Sequence, residues 1–200
     1  MSIVQTTEAL APTFSPLLHR YTLEEFWALP EPEGRAHYEL IGGNLFMVPP
    51  PDPPHGDVDA RLKASLLIFL NTNGMPGNVY HPREAIYVDD TFIEPDMMYV
   101  SNELRERMGK RRASADIVFE YLSQSTANYD RTTKADTYLA LGVLELWLLD
   151  SDAKSIEIRN RADREGFPVW EVRRFVQGET ASSRVLAGWE VSVTSLFAGL

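Results

Sequence analysis

Apolar positions in this chain switch between the 3.6-residue period of a helix and the two-residue period of a strand, and the switches mark its elements. Thr22-Leu23-Glu24-Glu25 sets Thr three residues before Glu. This capping box opens a short helix over Leu23–Leu29, which Pro30 and Pro32 stop. His37 to Val48 reads as a hairpin, with Gly42-Gly43 supplying the positive φ angles of its turn. Glu39 and His37, two apart, share a face of its first strand. The prolines of 49–54 form a stiff extended connector. Val58, Leu62, Leu66 and Phe69 then recur at helical spacing until Asn73-Gly74, an amphipathic helix of about four turns.

Val79 to Val88 is strand-like, but Pro82 makes it irregular or an edge. After the turn Asp89-Asp90-Thr91, two apolar runs follow, Phe92–Val100 and Ala115–Leu122, each predicted as one strand. Ser123, Ser125 and Thr126 offer N-caps to a helix over Ala127–Leu141, with Gly142 as its stop. Val143–Leu149 is almost continuously apolar, as in a strand covered on both faces. Ser155–Arg159 and Val169–Val176 alternate as antiparallel strands do, and Val191–Leu200 ends as a short strand and a helical turn. The fold class is α/β (α+β): helices flanking a mixed sheet, with additional antiparallel strands toward the C-terminus. Residues 1–20, rich in Thr, Ala and Pro, read as an N-terminal arm, and 21–200 as a single domain.

Composition narrows the function classes. The 200 residues include no Cys, which excludes disulfides and thiolate zinc sites and is compatible with a reduced, cytoplasmic setting. No secretory leader and no apolar run of membrane-spanning length is present, so no membrane partner is expected. The net charge of −10 counts against tight nonspecific binding to DNA. One basic cluster, Arg105, Arg107, Lys110, Arg111 and Arg112, lies between the two apolar runs; it is a solvated connector or a phosphate-contacting loop.

Two acids sit inside those runs, Asp96 and Glu120. A buried carboxylate is costly unless it is paired or binds a metal. If the two strands are neighbours, Asp96 and Glu120 converge, and a divalent cation with oxygen ligands, Mg²⁺ or Mn²⁺, would remove their repulsion. Lys134, two turns into the following helix, can reach back over the strand end and neutralise charge developing on a phosphoryl group. The plain alternatives are a hydrogen-bonded core glutamate, a turn aspartate after Pro95, and a surface pair between Lys134 and Asp130 four residues before it. Trp147 and Trp170 read as sheet-packing aromatics, and His37 as a strand-surface residue.

The Glu94-Pro95-Asp96 stretch followed by a strand bearing Glu120 resembles the PD-(D/E)XK nuclease superfamily. From Tyr21 to Phe197 the chain more closely resembles the Uma2 family (DUF820) of restriction-endonuclease-like proteins. The likeness is carried by 38–43 with Met47, by His55, by 94–96, by 118–126, by Asp130-Arg131, Lys134, Tyr138 and Gly142, and by 145–147. The resemblance implies a restriction-endonuclease-like fold and a metal-dependent endonuclease that hydrolyses DNA phosphodiester bonds. It implies Asp96 and Glu120 as metal ligands with the Tyr121 carbonyl as a third, Mg²⁺ or Mn²⁺ as cofactor, and Lys134 assisting the water. Glu39 would be an outer carboxylate. His55, which precedes the Val58 helix, either faces the site or caps and packs at the helix start. One departure stands out: the lysine position of the superfamily motif is Leu122 here, so Lys134 must fill that space from the helix. DNA is the implied substrate and a homodimer the implied assembly. Two other readings stay open: a noncatalytic interaction module on the same fold, which the acidic charge favours, and a hydrolase of small phosphate compounds.

Overall fold

The structure, a computed structural model, describes residues 19–50 and 55–200. The expected arm therefore lies outside the described residues up to residue 18, and so do 51–54 of the proline connector. The described end of that arm packs on the first hairpin, where the Arg20 guanidinium donates to the Gly42 carbonyl and the Tyr21 N–H to that of Gly43.

The capping box closes as expected: the Thr22 hydroxyl accepts from the Glu25 amide, and the Glu25 carboxylate accepts from the Thr22 amide. It starts α1 (Leu23–Trp27), shorter than predicted because the chain leaves the helix at Ala28, ahead of Pro30. The hairpin β1 (His37–Ile41) and β2 (Asn44–Val48) turns at Gly42 and Gly43, both at positive φ. Helix α2 (His55–Thr72) buries Val58, Leu62, Leu66 and Leu70. Next come β3 (Gly77–Tyr80), β4 (Ile86–Val88), β5 (Thr91–Ile93) and β6 (Met97–Ser101). Helix α3 (Asn102–Met108), capped by the Ser101 side chain, occupies part of the expected basic connector.

The two expected strands in this region each divide. Val79–Val88 becomes β3 and β4, both at sheet edges as Pro82 required. Phe92–Val100 becomes β5 and β6, and Glu94-Pro95-Asp96 is the crossing point between two sheets. Proline cannot donate to a ladder, so the break falls where the ladder must end. One sheet has the order β2-β1-β5-β4 and is tied across the break by Leu40 opposite Phe92.

The larger sheet has six strands in the order β10-β9-β8-β7-β6-β3. Its centre is β7 (Ile117–Leu122) and β8 (Glu145–Asp150), which run parallel and are buried on both faces. The crossover between them is helical: α4 (Ala127–Tyr129), a π-helical turn (Asp130–Lys134) and α5 (Ala135–Ala140). Gly142, at φ 85°, ends it as expected. Strands β9 (Ser155–Arg164) and β10 (Phe167–Phe175) extend the sheet antiparallel. The small pair β11 (Thr180–Ser182) and β12 (Glu190–Ser192), then α6 (Val193–Leu196), finish the chain.

Alternation along β7 sends side chains into two cores. Ile117, Phe119 and Tyr121 join α2, Trp147 and Trp189 on one face. Val118 and Leu122 join Ala135, Tyr138 and Leu148 on the other. Trp147 is fully buried, and Trp170 packs on the second face while its indole N–H donates to the Ala135 carbonyl, so both are packing residues as expected. Helices thus cover both faces of a mixed sheet, as the α+β expectation required. Among the described residues no helix is long and apolar enough to cross a membrane.

Candidate active site

The polar cluster forms where β7, the end of β5, the start of β6 and the π-helical turn meet. Strands β6 and β7 are antiparallel neighbours, with Met98 opposite Val118 and Met97 opposite Phe119. Continuing that register brings Asp96 to the level of Glu120. Asp96 accepts a hydrogen bond from the Tyr121 amide at 2.8 Å. The strand-neighbour condition on which convergence depended is met.

Lys134 enters from the helix. Its Nζ lies 2.8 Å from Glu120 Oε1, 3.5 Å from Glu39 Oε1 and 3.8 Å from Asp130 Oδ1. The i,i+4 pair with Asp130, the plain explanation for this lysine, is the longest of the three contacts. The π-helical turn widens the helix locally and buries both Asp130 and Lys134. Such turns interrupt helices where side chains must be re-aimed, often at functional sites. The Leu122 position packs in the second core, so the ammonium does come from the helix.

Glu39, fully buried on β1, accepts from the Glu94 amide at 2.9 Å and from the Tyr129 hydroxyl at 2.9 Å. The Tyr138 hydroxyl donates to Glu120. Sequence reasoning placed Tyr138 and Glu94 only within the family likeness, without a role, and did not find Tyr129. Phenols at helical positions look like core aromatics, and only the three-dimensional partner reveals their use.

His37 is not a strand-surface residue. Its Nε2 is buried, without a hydrogen-bond partner among the described residues, and lies 3.9 Å from both Glu39 Oε1 and Glu94 Oε2. The shared face of His37 and Glu39 turns inward because β1 is covered by the Glu94 segment. His55 starts α2 and lines the site cavity, with its ring centre 6.1 Å from that of Tyr121. Both of its nitrogens are buried without a partner among the described residues. The Tyr121 phenol points away to Asp59 at 3.1 Å, and Asp59 pairs with Lys63 at 2.6 Å. Ser123 Oγ accepts from the Thr126 amide, whereas Thr126 makes no side-chain cap.

Electrostatics here are dominated by burial and like charge. Burial raises Glu120 well above the usual carboxylate range, with Asp96, Asp130 and Glu39 adding to the rise against the pull of Lys134. Burial also raises Asp96, against Lys134 and the Tyr121 N–H. Asp130 is raised to about 6, chiefly by burial. Glu39 goes the other way: burial pushes it up, but Lys134, His37 and the Glu94 amide outweigh that and lower it. Burial opposes the charge on Lys134, yet Glu120 and Glu39 hold its ammonium well above its usual range. Acids outnumber the cation, so a proton or a metal ion is needed to balance them.

Asp96, Glu120, Lys134, His55 and His37 all line one small cavity of about 50 Å³. Among the described residues no group of three or more His, Asp or Glu side chains is placed to hold a metal ion. Two converging carboxylates still suit Mg²⁺, which commonly keeps several waters and takes one or two carboxylates plus substrate oxygens.

Fold and site together define a restriction-endonuclease-like α+β domain with an acid-acid-lysine cluster at the sheet crossing. The chain belongs to the Uma2 family, described as "Putative restriction endonuclease", which matches residues 23–194. A solved structure with the same fold is a "putative nuclease belonging to DUF820" from Anabaena variabilis ATCC 29413. It is 20% identical, with a TM-score of 0.71 over 88% of this chain and 97% of that one. The comparison with curated proteins found no match.

Proposed function

We propose that the domain, residues 21–200, is a metal-dependent endonuclease acting on DNA phosphodiester bonds. The observation that carries this reading is Lys134 Nζ at 2.8 Å from Glu120, in the same cavity as Asp96. Asp96 and Glu120 would hold Mg²⁺ or Mn²⁺, with the Tyr121 carbonyl as a third protein oxygen. When bound, such an ion lowers the pKa of a water and stabilises the phosphoryl oxygens.

The chain's own residues supply the rest. Lys134 stays protonated, so it acts as a fixed positive charge for the developing phosphoryl oxyanion and orients the water. Glu39, held by the Glu94 amide and Tyr129, positions that ammonium from behind. His55 lines the cavity, and its two nitrogens have no partner among the described residues, so it would contact a phosphate oxygen or a metal-bound water. A homodimer in the cytoplasm, with one site for each DNA strand, completes the reading; sedimentation as a monomer at micromolar concentration would remove the dimer.

The test is plasmid cleavage in Mg²⁺ or Mn²⁺ and in EDTA. Asp96→Asn, Glu120→Gln and Lys134→Met should each lower the rate by about 100-fold or more. Equal rates in wild type and all three variants, or equal rates in EDTA, would end the assignment. The net charge of −10 favours a noncatalytic interaction module as the second reading. Absence of both cleavage and metal binding by calorimetry would select it.

A further inference from the structure

A second cavity, about 190 Å³ in volume, lies against the first. His37 and Glu94 line both, so they form the wall between them. That wall is one side chain deep: His37 Nε2 is 3.9 Å from Glu94 and 3.9 Å from Glu39, and Glu39 is 3.5 Å from Lys134.

The lining differs in kind from that of the acidic site. Phe26 and Phe92 pack with ring centres 4.9 Å apart, and Trp27 lies edge-on to Tyr87 at 6.5 Å. Trp27 is 61% exposed, a large aromatic surface left open beside a cavity. Arg83 lines the same cavity and makes no ion pair or hydrogen bond among the described residues. It adopts φ 76°, a left-handed conformation uncommon outside glycine, in the turn that the Glu84 N–H closes onto the His81 carbonyl. Glu31 and Glu94 line the cavity too, so one guanidinium and two carboxylates stand beside exposed aromatic surface, a setting that suits a flat ligand carrying both acceptors and donors.

We propose that this cavity receives an unpaired nucleobase adjoining the phosphate held at Lys134, and so directs the protein to single-stranded or locally opened nucleic acid. This rests on the nuclease reading above. The aromatic wall offers the stacking surface that accepts any base face. Arg83 donates to ring nitrogens or carbonyl oxygens, and Glu94 accepts from amino groups, so the edge is read from both sides. A paired base has its edge occupied and its faces stacked, and entering such a pocket requires it to leave the duplex. The small basic footprint is consistent with this, because stacking supplies affinity that phosphate contacts would otherwise provide.

The experiment reads binding rather than cleavage. Full-length protein is titrated, in EDTA and again in Ca²⁺, into a short single-stranded oligonucleotide carrying one 2-aminopurine. Stacking should quench the fluorophore in a saturable manner. Trp27→Ala and Arg83→Gln should each weaken binding by about tenfold, and the same fluorophore paired in a duplex should bind at least about tenfold more weakly. Arg83 is exposed, so its variant reports on the site independently of any folding defect at Trp27. No quenching by wild type in either condition, or wild-type affinity retained in both variants, would overturn the proposal. If quenching holds while plasmid cleavage fails, the base site stands and the hydrolytic reading falls; cleavage without quenching removes the base site alone.

Discussion

Strands β7 and β8 lie side by side, and each buries a glutamate, but at opposite ends: Glu120 is level with Leu148, and Glu145 with Ile117. Both are essentially removed from solvent. Glu145 is answered by neutral donors. It accepts from the Trp147 indole at 2.6 Å and from the Arg184 and Val185 amides at 2.7 and 3.3 Å. Glu120 faces Tyr138 and Lys134, with Asp96, Asp130 and Glu39 adding negative charge around it. Burial of an acid therefore does not by itself mark a reactive site. The partners do: Glu145 ties the loop before β12 to the sheet, and Glu120 sits in an excess of acid that only a cation or a proton can balance.

That contrast is sharpest at the ammonium. Lys134→Met should cost about 3–5 kcal/mol at pH 7.5 in EDTA, because it leaves buried carboxylates without their counter-charge. Urea unfolding measures it, and an unchanged midpoint would mean that the acids do not depend on Lys134 for their burial. Next in size is Glu145→Ala, which strands the Trp147 indole N–H and two amides and should cost about 2–4 kcal/mol. DNA cleavage by the folded variant should match wild type; a large loss of rate would erase the distinction between the two glutamates.

The smallest effect concerns pH. Burial raises Asp130 from 3.8 to about 6. Its folded form therefore takes up a proton that the unfolded chain does not hold until pH approaches 3.8. Stability should rise as pH falls through this window, and ionised Asp130 should be a cost above about 6. Glu39, whose pKa is lowered, contributes in the opposite sense, and that contribution disappears as pH falls below the ordinary glutamate range. In EDTA, Asp130→Asn should raise stability at pH 7.5 by roughly 1–2 kcal/mol and flatten the gain between pH 7.5 and 5.5. An undiminished pH dependence in the variant would assign the slope to other groups.

Asp96, Glu120 and Lys134 were legible because each conflicts with its surroundings: an acid in an apolar strand needs a partner, and a lysine two turns into the next helix is in reach. The division of Phe92–Val100 was legible only in part: Pro95 marks where a ladder must end, but not that the two halves join different sheets. It depends on β5 pairing with β1, through Leu40 opposite Phe92, and no local pattern encodes a partner so far away in the chain. The π-helical turn was equally hidden, because Asp130 and Lys134 have the spacing of an ordinary helical pair and only tertiary burial distinguishes them. His37 looked like a surface residue because its strand was read alone, without the Glu94 segment that covers it. Glu145 carried the same signal as Glu120, an acid inside an apolar run, and was read only as part of the family likeness; the amides that satisfy it come from a loop about forty residues on.

The central claim is that Glu120, unlike Glu145, belongs to a chemical site. Glu120→Gln tests it most directly, in one preparation assayed for both Mg²⁺-dependent DNA cleavage and urea unfolding. The expected result is a rate lowered by about 100-fold or more with stability changed by less than about 1 kcal/mol, since the amide removes a charge crowded by other acids. A variant that cleaves as wild type does, or that loses activity only in proportion to lost stability, would contradict the account.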